Sequence, residues 1–120
     1  MFDWEEYLNF SKHIIYYSSE ACFRSIISRC YYYSFNAVKE KLIQDYSFTQ
    51  TATGDDHKLV TDELDKMKDN SNALELSLAL KKLKKKRRQS DYNSNCNINK
   101  NEADTAINSA EEIKKKISLI

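Results

Sequence analysis

Proline is absent from this 120-residue chain, and glycine occurs only once. β-Sheets and tight turns usually need more of both residues, so this scarcity argues against a β-rich fold. The later half of the chain is dominated by Leu, Ile, Lys, Glu and Ala, which suit helices. The length allows one hydrophobic core but not two, so we predict a single all-α domain over residues 1–120.

Other features that would define a function class are also missing. The three cysteines are an odd count, without the spacing of a metal site or of a disulfide framework. No segment approaches the ~20 apolar residues of a membrane span, and the N-terminal residues are acidic where a signal peptide is basic. Neither a phosphate-cradling glycine loop nor a Ser–His–Asp pattern is present. We therefore expect a soluble cytoplasmic protein with no metal, no cofactor and no membrane contact.

The net charge of +1 conceals an uneven distribution. Residues 81–88 read KKLKKKRR, and removing their seven basic residues from 19 leaves 12 against 18 acidic residues, a net charge of −6 for the remainder. Clustered Lys and Arg neutralise nucleic-acid phosphates. The run therefore contains candidate residues for RNA or phosphate binding, namely Lys84, Lys85, Arg87 and Arg88. The alternative is a solvated helix end whose cations complement the helix macrodipole.

The spacing of apolar residues predicts a compact bundle of about five helices with short connections. The second helix follows an N-cap at Ser18–Ser19 and is roughly 25 residues long, which is long for a small domain. We predict that it forms the spine of the bundle. The predicted helical spans are residues 3–17, 20–45, 55–68, 72–91 and 101–117.

The second helix contains the most informative segment, residues 24–36. At ~100° per residue its apolar positions converge on one side. On the opposite side Arg29, Tyr32 and Asn36 fall close together, with Tyr33 at their edge. These polar and aromatic groups suit binding better than the Lys and Glu of an ordinary solvated face. We interpret this second face either as a substrate site or as a polar patch lining a helix–helix or dimer interface.

Two further places in the sequence have side chains that could take part in catalysis or in an ion pair. His57 opens the third helix beside Asp55 and Asp56, a setting more typical of a surface or capping histidine than of a catalytic one. Asp91 follows Arg87 by four residues, so the two side chains can pair on one helix face. A structural ion pair that ends the fourth helix is the favoured interpretation.

Three sequence motifs, in the same order along the chain, resemble those of a HEPN domain (higher eukaryotes and prokaryotes nucleotide-binding) of the small bacterial and archaeal branch. That branch has a Ser-Arg-Ala-Tyr-Tyr-Ala-x-Phe-His pattern, and residues 28–36 of this chain read SRCYYYSFN. Its His that opens a helix before a hydrophobic stretch corresponds to His57 in the sequence HKLV. Its Leu-Arg-x-x-x-Asp-Tyr pattern corresponds to residues 87–92, RRQSDY. The Ala-rich closing helix corresponds to residues 103–117.

The resemblance implies an α-helical bundle that forms homodimers across its functional face. Members are frequent in toxin–antitoxin pairs, often beside a small nucleotidyltransferase, and in antiphage defence. Many cut RNA without a metal through an Arg-x(4–6)-His motif, in which the His acts as acid or base and the Arg stabilises phosphorane charge. This chain has no such motif, and Asn36 stands where the close branch has His. An amide cannot transfer a proton near pH 7.

Two main hypotheses follow. In the first, the chain is an RNA-directed effector, a toxin or defence ribonuclease with an altered motif, in which Arg29 and Arg87 hold phosphate and His57 titrates. Arg29 and His57 are then the catalytic candidates. In the second, the chain is a non-catalytic module that docks a nucleotidyltransferase or another protein partner through the same face. In a third hypothesis, the chain is a purely structural subunit of a larger assembly. The expected cleft or interface residues are Tyr32, Tyr33, Asn36, Asp91 and Tyr92.

Overall fold

The computed structural model describes residues 1–51 and 56–120. These residues form helices and connecting segments, with no strand among them. The all-α bundle of about five helices predicted from the sequence is confirmed. The predicted start of the third helix at Asp55 lies outside the described residues. The helices are α1 Glu5–Ile14, α2 Glu20–Asp45, α3 Asp56–Asp65, α4 Ser71–Tyr92 and α5 Lys100–Ile117.

Side-chain caps begin three of these helices. Ser19, Asn70 and Asn99 each accept a hydrogen bond from the backbone N–H three residues later, at 3.0 to 3.2 Å. Such caps satisfy donors that the first turn of a helix leaves unpaired. The cap at Ser19 agrees with the predicted N-cap of α2. The cap at Asn70 places the start of α4 at Ser71, one residue before the predicted start.

α2 is the central helix of the bundle and contacts the four other helices. Its residues Ile26, Ile27, Val38 and Leu42 are completely buried. Apolar side chains of α4 and α5 complete the core around them, and Leu80 of α4 is also completely buried. The prediction that the second helix is the spine of the bundle agrees with this arrangement.

The second face of α2 is partly covered within the chain, since Tyr33 and Asn36 are buried while Arg29 and Tyr32 are half-buried. Tyr33 is 5% exposed, and Glu5 and Glu111 lie close enough to influence its phenol. Asn36 is 7% exposed, and its Nδ2 donates to the carbonyl oxygen of Tyr32 at 2.8 Å. These positions fit the helix–helix interpretation. Their burial argues against an open cleft at Tyr33 and Asn36, and the prediction of a cleft or interface on this face otherwise stays a prediction.

Two kinds of feature do not occur in residues 1–51 and 56–120. No helix there has both the length and the apolar character needed to cross a membrane. No three His, Cys, Asp or Glu side chains there converge into a group able to hold a metal ion.

The orientation of α4 can be tested with two leucines two residues apart. Leu80 is fully buried and Leu78 is 56% exposed. We expect Leu80→Ala to lower the free energy of unfolding by ~2–5 kcal/mol, because it leaves a cavity in the hydrophobic core. Leu78→Ala should change it by less than about 0.5 kcal/mol. Urea denaturation measures both values, and equal losses would contradict the packing of α4 described above.

Candidate nucleic-acid interface

A shallow recess lies where the start of α3 meets the basic run of α4. We call it the basic recess, and its volume is about 410 Å³. Because its α4 residues recur at three- and four-residue spacing, they share one face of the helix. Leu83, on another side of α4, is only 5% exposed and packs into the core. The residues lining the recess are His57, Lys81, Lys84, Lys85, Arg88 and Gln89.

The cations of the basic recess differ in their pairing. The Nζ of Lys81 lies 3.0 Å from a carboxylate oxygen of Asp65 on α3. Within residues 1–51 and 56–120, by contrast, Lys84, Lys85 and Arg88 form no ion pair with a carboxylate. The recess therefore carries positive charge that the described part of the protein does not neutralise. Such a site attracts anions, and phosphate groups in particular.

His57 lines the basic recess, and its ring is hydrogen-bonded to a tyrosine of α2. Its Nδ1 lies 2.8 Å from the phenolic oxygen of Tyr31, and its ring lies 6.0 Å from that of Phe35. Burial, together with the nearby charges of Lys84, Arg87 and Lys81, lowers the pKa of His57 to about 4. Burial also raises the pKa of Tyr31 to about 12. Both groups are therefore neutral at pH 7.

This environment limits the chemistry that His57 can perform. A histidine whose pKa is about 4 is a weak base near neutral pH. The predicted role of His57 as the titrating group therefore finds no support in its surroundings. In the tautomer in which the Tyr31 phenol donates to Nδ1, the Nε2 atom carries the proton and can donate to a phosphate oxygen. The geometry suits binding of an anion better than proton transfer.

Arg87 lies beneath the recess rather than in it. Its side chain is 12% exposed, and its guanidinium lies 5.2, 5.6 and 5.9 Å from the ring centres of Tyr31, Tyr32 and Tyr92. It also pairs with Asp91 at 3.6 Å, which confirms the ion pair predicted from their spacing. Asp91 accepts a further hydrogen bond of 3.3 Å from Ser28 on α2. Arg87 thus joins α4 to α2, and it does not line the basic recess with Arg88.

Arg29 interacts with a different helix. Its guanidinium lies 4.8 Å from the ring centre of Tyr7 on α1. It does not line the basic recess, so the structure does not bring it there beside His57. The expectation that Arg29 and Arg87 hold phosphate together is not met at this recess, because each guanidinium packs on tyrosine rings elsewhere. A catalytic role for Arg29 stays a prediction.

Arg24 is a structural residue that the sequence patterns did not identify. Its guanidinium donates to the carbonyl oxygens of Gln89, Ser90 and Asn93 at 2.9 to 3.3 Å, and also to that of Cys96. These carbonyls lie in the last turn of α4 and in the loop that follows, where intrahelical donors run out. No local pattern reveals a cap supplied by a helix more than 60 residues earlier.

Comparison with protein-family models, with curated proteins and with solved structures finds no match to this chain. The HEPN resemblance therefore depends on the three sequence motifs alone.

The environment of His57 predicts a pH dependence of stability. The folded state keeps His57 neutral down to about pH 4, whereas the unfolded chain protonates it near pH 6.5. Its contribution to stability is thus complete above pH 6.5 and is lost as the pH falls towards 4. The largest loss of unfolding free energy that this pKa shift can cause is about 3 kcal/mol, and solvent screening at this half-buried position reduces it.

We expect His57→Gln to flatten the fall in stability between pH 6.5 and pH 4 relative to the wild type. Lys84→Gln should flatten it in part, because Lys84 is one cause of the lowered pKa. Urea denaturation across this range measures the effect, and NMR titration of the His57 ring measures the pKa directly. A His57 pKa that stays near 6.5 in the folded protein would contradict the described environment.

Proposed function

We propose that this chain is a HEPN-like effector of a prokaryotic toxin–antitoxin or antiphage-defence system, and that it binds RNA through the basic recess. The observation that carries this proposal is the pairing pattern within the recess. Lys84, Lys85 and Arg88 share one face of α4 without an ion pair to any described carboxylate. A neutral His57 lies beside them and adds a hydrogen-bonding group without adding charge.

The macrodipole does not account for these cations. Its influence falls off within the last turn of a helix. α4 ends at Tyr92, and its last turn contains no basic residue. Lys84 lies two turns before that end, so it gains little from the dipole. For Lys84 and Lys85 this argues against the alternative interpretation of the basic run as a solvated helix end.

The distribution of charge over the whole chain supports a polyanionic ligand. Outside residues 81–88 the net charge is −6, so the positive charge is concentrated at one place. A local field of this kind steers a phosphate chain to the recess and repels it elsewhere. Release of counterions from the nucleic acid then favours binding. The HEPN resemblance is the reason for choosing RNA among polyanions.

Binding is favoured over cleavage by the surroundings of the candidate catalytic residues. Arg29 packs on Tyr7, Asn36 is buried, and the pKa of His57 lies far below neutral pH. Cleavage stays a prediction, and incubation of total RNA with the wild type, Arg29→Ala and His57→Ala tests it. The homodimer and the docking of a nucleotidyltransferase also stay predictions, and no described feature favours that docking over RNA binding.

Removal of the unpaired cations should weaken RNA binding. We expect the triple variant Lys84→Gln/Lys85→Gln/Arg88→Gln to bind RNA more weakly than the wild type at every salt concentration. The slope of log Kd against log salt should fall by about 2, since each single-strand phosphate contact contributes ~0.7. Fluorescence anisotropy with a labelled RNA, between about 50 and 200 mM salt, measures both quantities.

A matched control removes the same charge elsewhere. Lys68, Lys100 and Lys115 are exposed and lie outside the basic recess. Their triple Gln variant should keep most of the affinity. Equal weakening by the two triple variants would indicate nonspecific attraction by net charge. Salt-independent binding by the wild type, or no binding, would overturn the proposed function.

A further inference from the structure

An exposed tyrosine stands at the end of the helix that carries the basic recess. Tyr92 is the last residue of α4, and it is 77% exposed. Its ring centre lies 5.9 Å from the Arg87 guanidinium, so a partly buried cation supports the ring from the protein side. The exposure shows that most of the ring surface still meets solvent. A flat aromatic surface of this kind is available for stacking.

The backbone beneath Tyr92 is held more firmly than a helix end usually is. Arg24 donates to the carbonyl oxygens of Ser90 and Asn93, which flank this position, at 2.9 and 3.1 Å. The N–H of Asn93 also donates to the carbonyl oxygen of Gln89 at 3.0 Å. The Arg24 bonds fix the last turn of α4 to α2, and the Asn93 bond closes that turn. The ring is therefore presented from an anchored position, which reduces the entropy lost when a partner stacks on it.

The surface around Tyr92 is continuous with the basic recess. A second depression beside Tyr92 is lined by residues 88, 89 and 92–95. Arg88 and Gln89 line both depressions. Since Arg88 and Tyr92 are four residues apart on α4, they are neighbours on the helix surface. A phosphate at Arg88 thus lies within one helical turn of the exposed ring.

The acidic groups near Tyr92 are already paired. Glu20 bonds to Arg24 at 2.8 Å, and Asp91 pairs with Arg87 at 3.6 Å. They therefore leave little free negative charge to repel a phosphate chain. The amides of Gln89, Asn93 and Asn95 also line the second depression, and they can form hydrogen bonds with a base edge.

We propose that Tyr92 is a stacking platform for an unpaired base, so that this surface binds single-stranded RNA in preference to duplex RNA. The inference rests on the proposed function, because it requires the phosphate chain to lie in the basic recess. A groove of cations beside an aromatic ring is the arrangement that holds single strands. In a duplex the bases are paired and stacked on one another, and none is free to stack on the ring.

Binding of two RNA probes to the full chain tests the inference. The first is a labelled oligoadenylate of roughly 12 nucleotides, and the second is the same strand annealed to its complement. The variants are Tyr92→Phe, which keeps the ring, and Tyr92→Leu, which removes it. Tyr16→Leu is the matched control, because Tyr16 is 84% exposed and lies just beyond α1, outside both depressions.

We expect Tyr92→Leu to weaken single-strand binding about tenfold, while Tyr92→Phe and Tyr16→Leu leave it nearly unchanged. Duplex binding by the wild type should be weaker and insensitive to Tyr92→Leu. Single-strand affinity unchanged in Tyr92→Leu, or lost equally in Tyr92→Phe, would overturn the stacking role. If the stacking role fails but RNA binding still depends on Lys84, Lys85 and Arg88, the proposed function remains supported. Absence of RNA binding in the wild type overturns both.

Discussion

The packing of α4 against α2 through Arg87 is the interaction on which the rest of the surface depends. A buried guanidinium loses hydration, and this loss must be offset by groups that favour a cation. The ring faces of Tyr31 and Tyr32 and the carboxylate of Asp91 provide that environment. Because these contacts join Arg87 to α2 as well as to its own helix, they act with the buried leucines to orient α4 about its axis. That orientation determines which lysines face α3 and which face α5.

The same contact explains why the recess has a neutral histidine beside its cations. The Arg87 charge and the burial of His57 both disfavour the imidazolium, and Tyr31 connects the two groups by touching each of them. A protonated histidine would repel Lys84 and Arg87. A neutral one leaves the positive charge of the recess on side chains that reach solvent, where they can meet a phosphate.

Local patterns predicted most of the fold because most of it is locally determined. Apolar spacing located the helices, and Ser19 marked the start of α2 through an ordinary N-cap. The Arg87–Asp91 pair followed from a four-residue spacing within one helix. The Arg24 cap and the Tyr31–His57 hydrogen bond join residues from different helices. Such contacts depend on how helices are placed in space, which periodicity alone does not specify.

The second face of α2 shows the limit of the helical-wheel argument. Spacing separates an apolar side from a polar side, but it does not say whether the polar side meets solvent. In this bundle Tyr33 and Asn36 are buried, because helices pack around α2. The unpaired cations of the basic recess lie instead on α4, on a side of that helix that reaches solvent.

Some lysines of α4 form ion pairs with neighbouring helices, and others form no ion pair among the described residues. Lys81 pairs with Asp65 on α3, and Lys86 lies 3.7 Å from Glu102 on α5, so these two lysines join α4 to its neighbours. Lys84 and Lys85 make no such pair among the described residues. Exposed ion pairs contribute little to stability, and unpaired surface cations contribute less. The number of lysines on α4 therefore exceeds what the fold requires. An excess of cations concentrated on one face is the feature that supports the proposed binding of a phosphate chain.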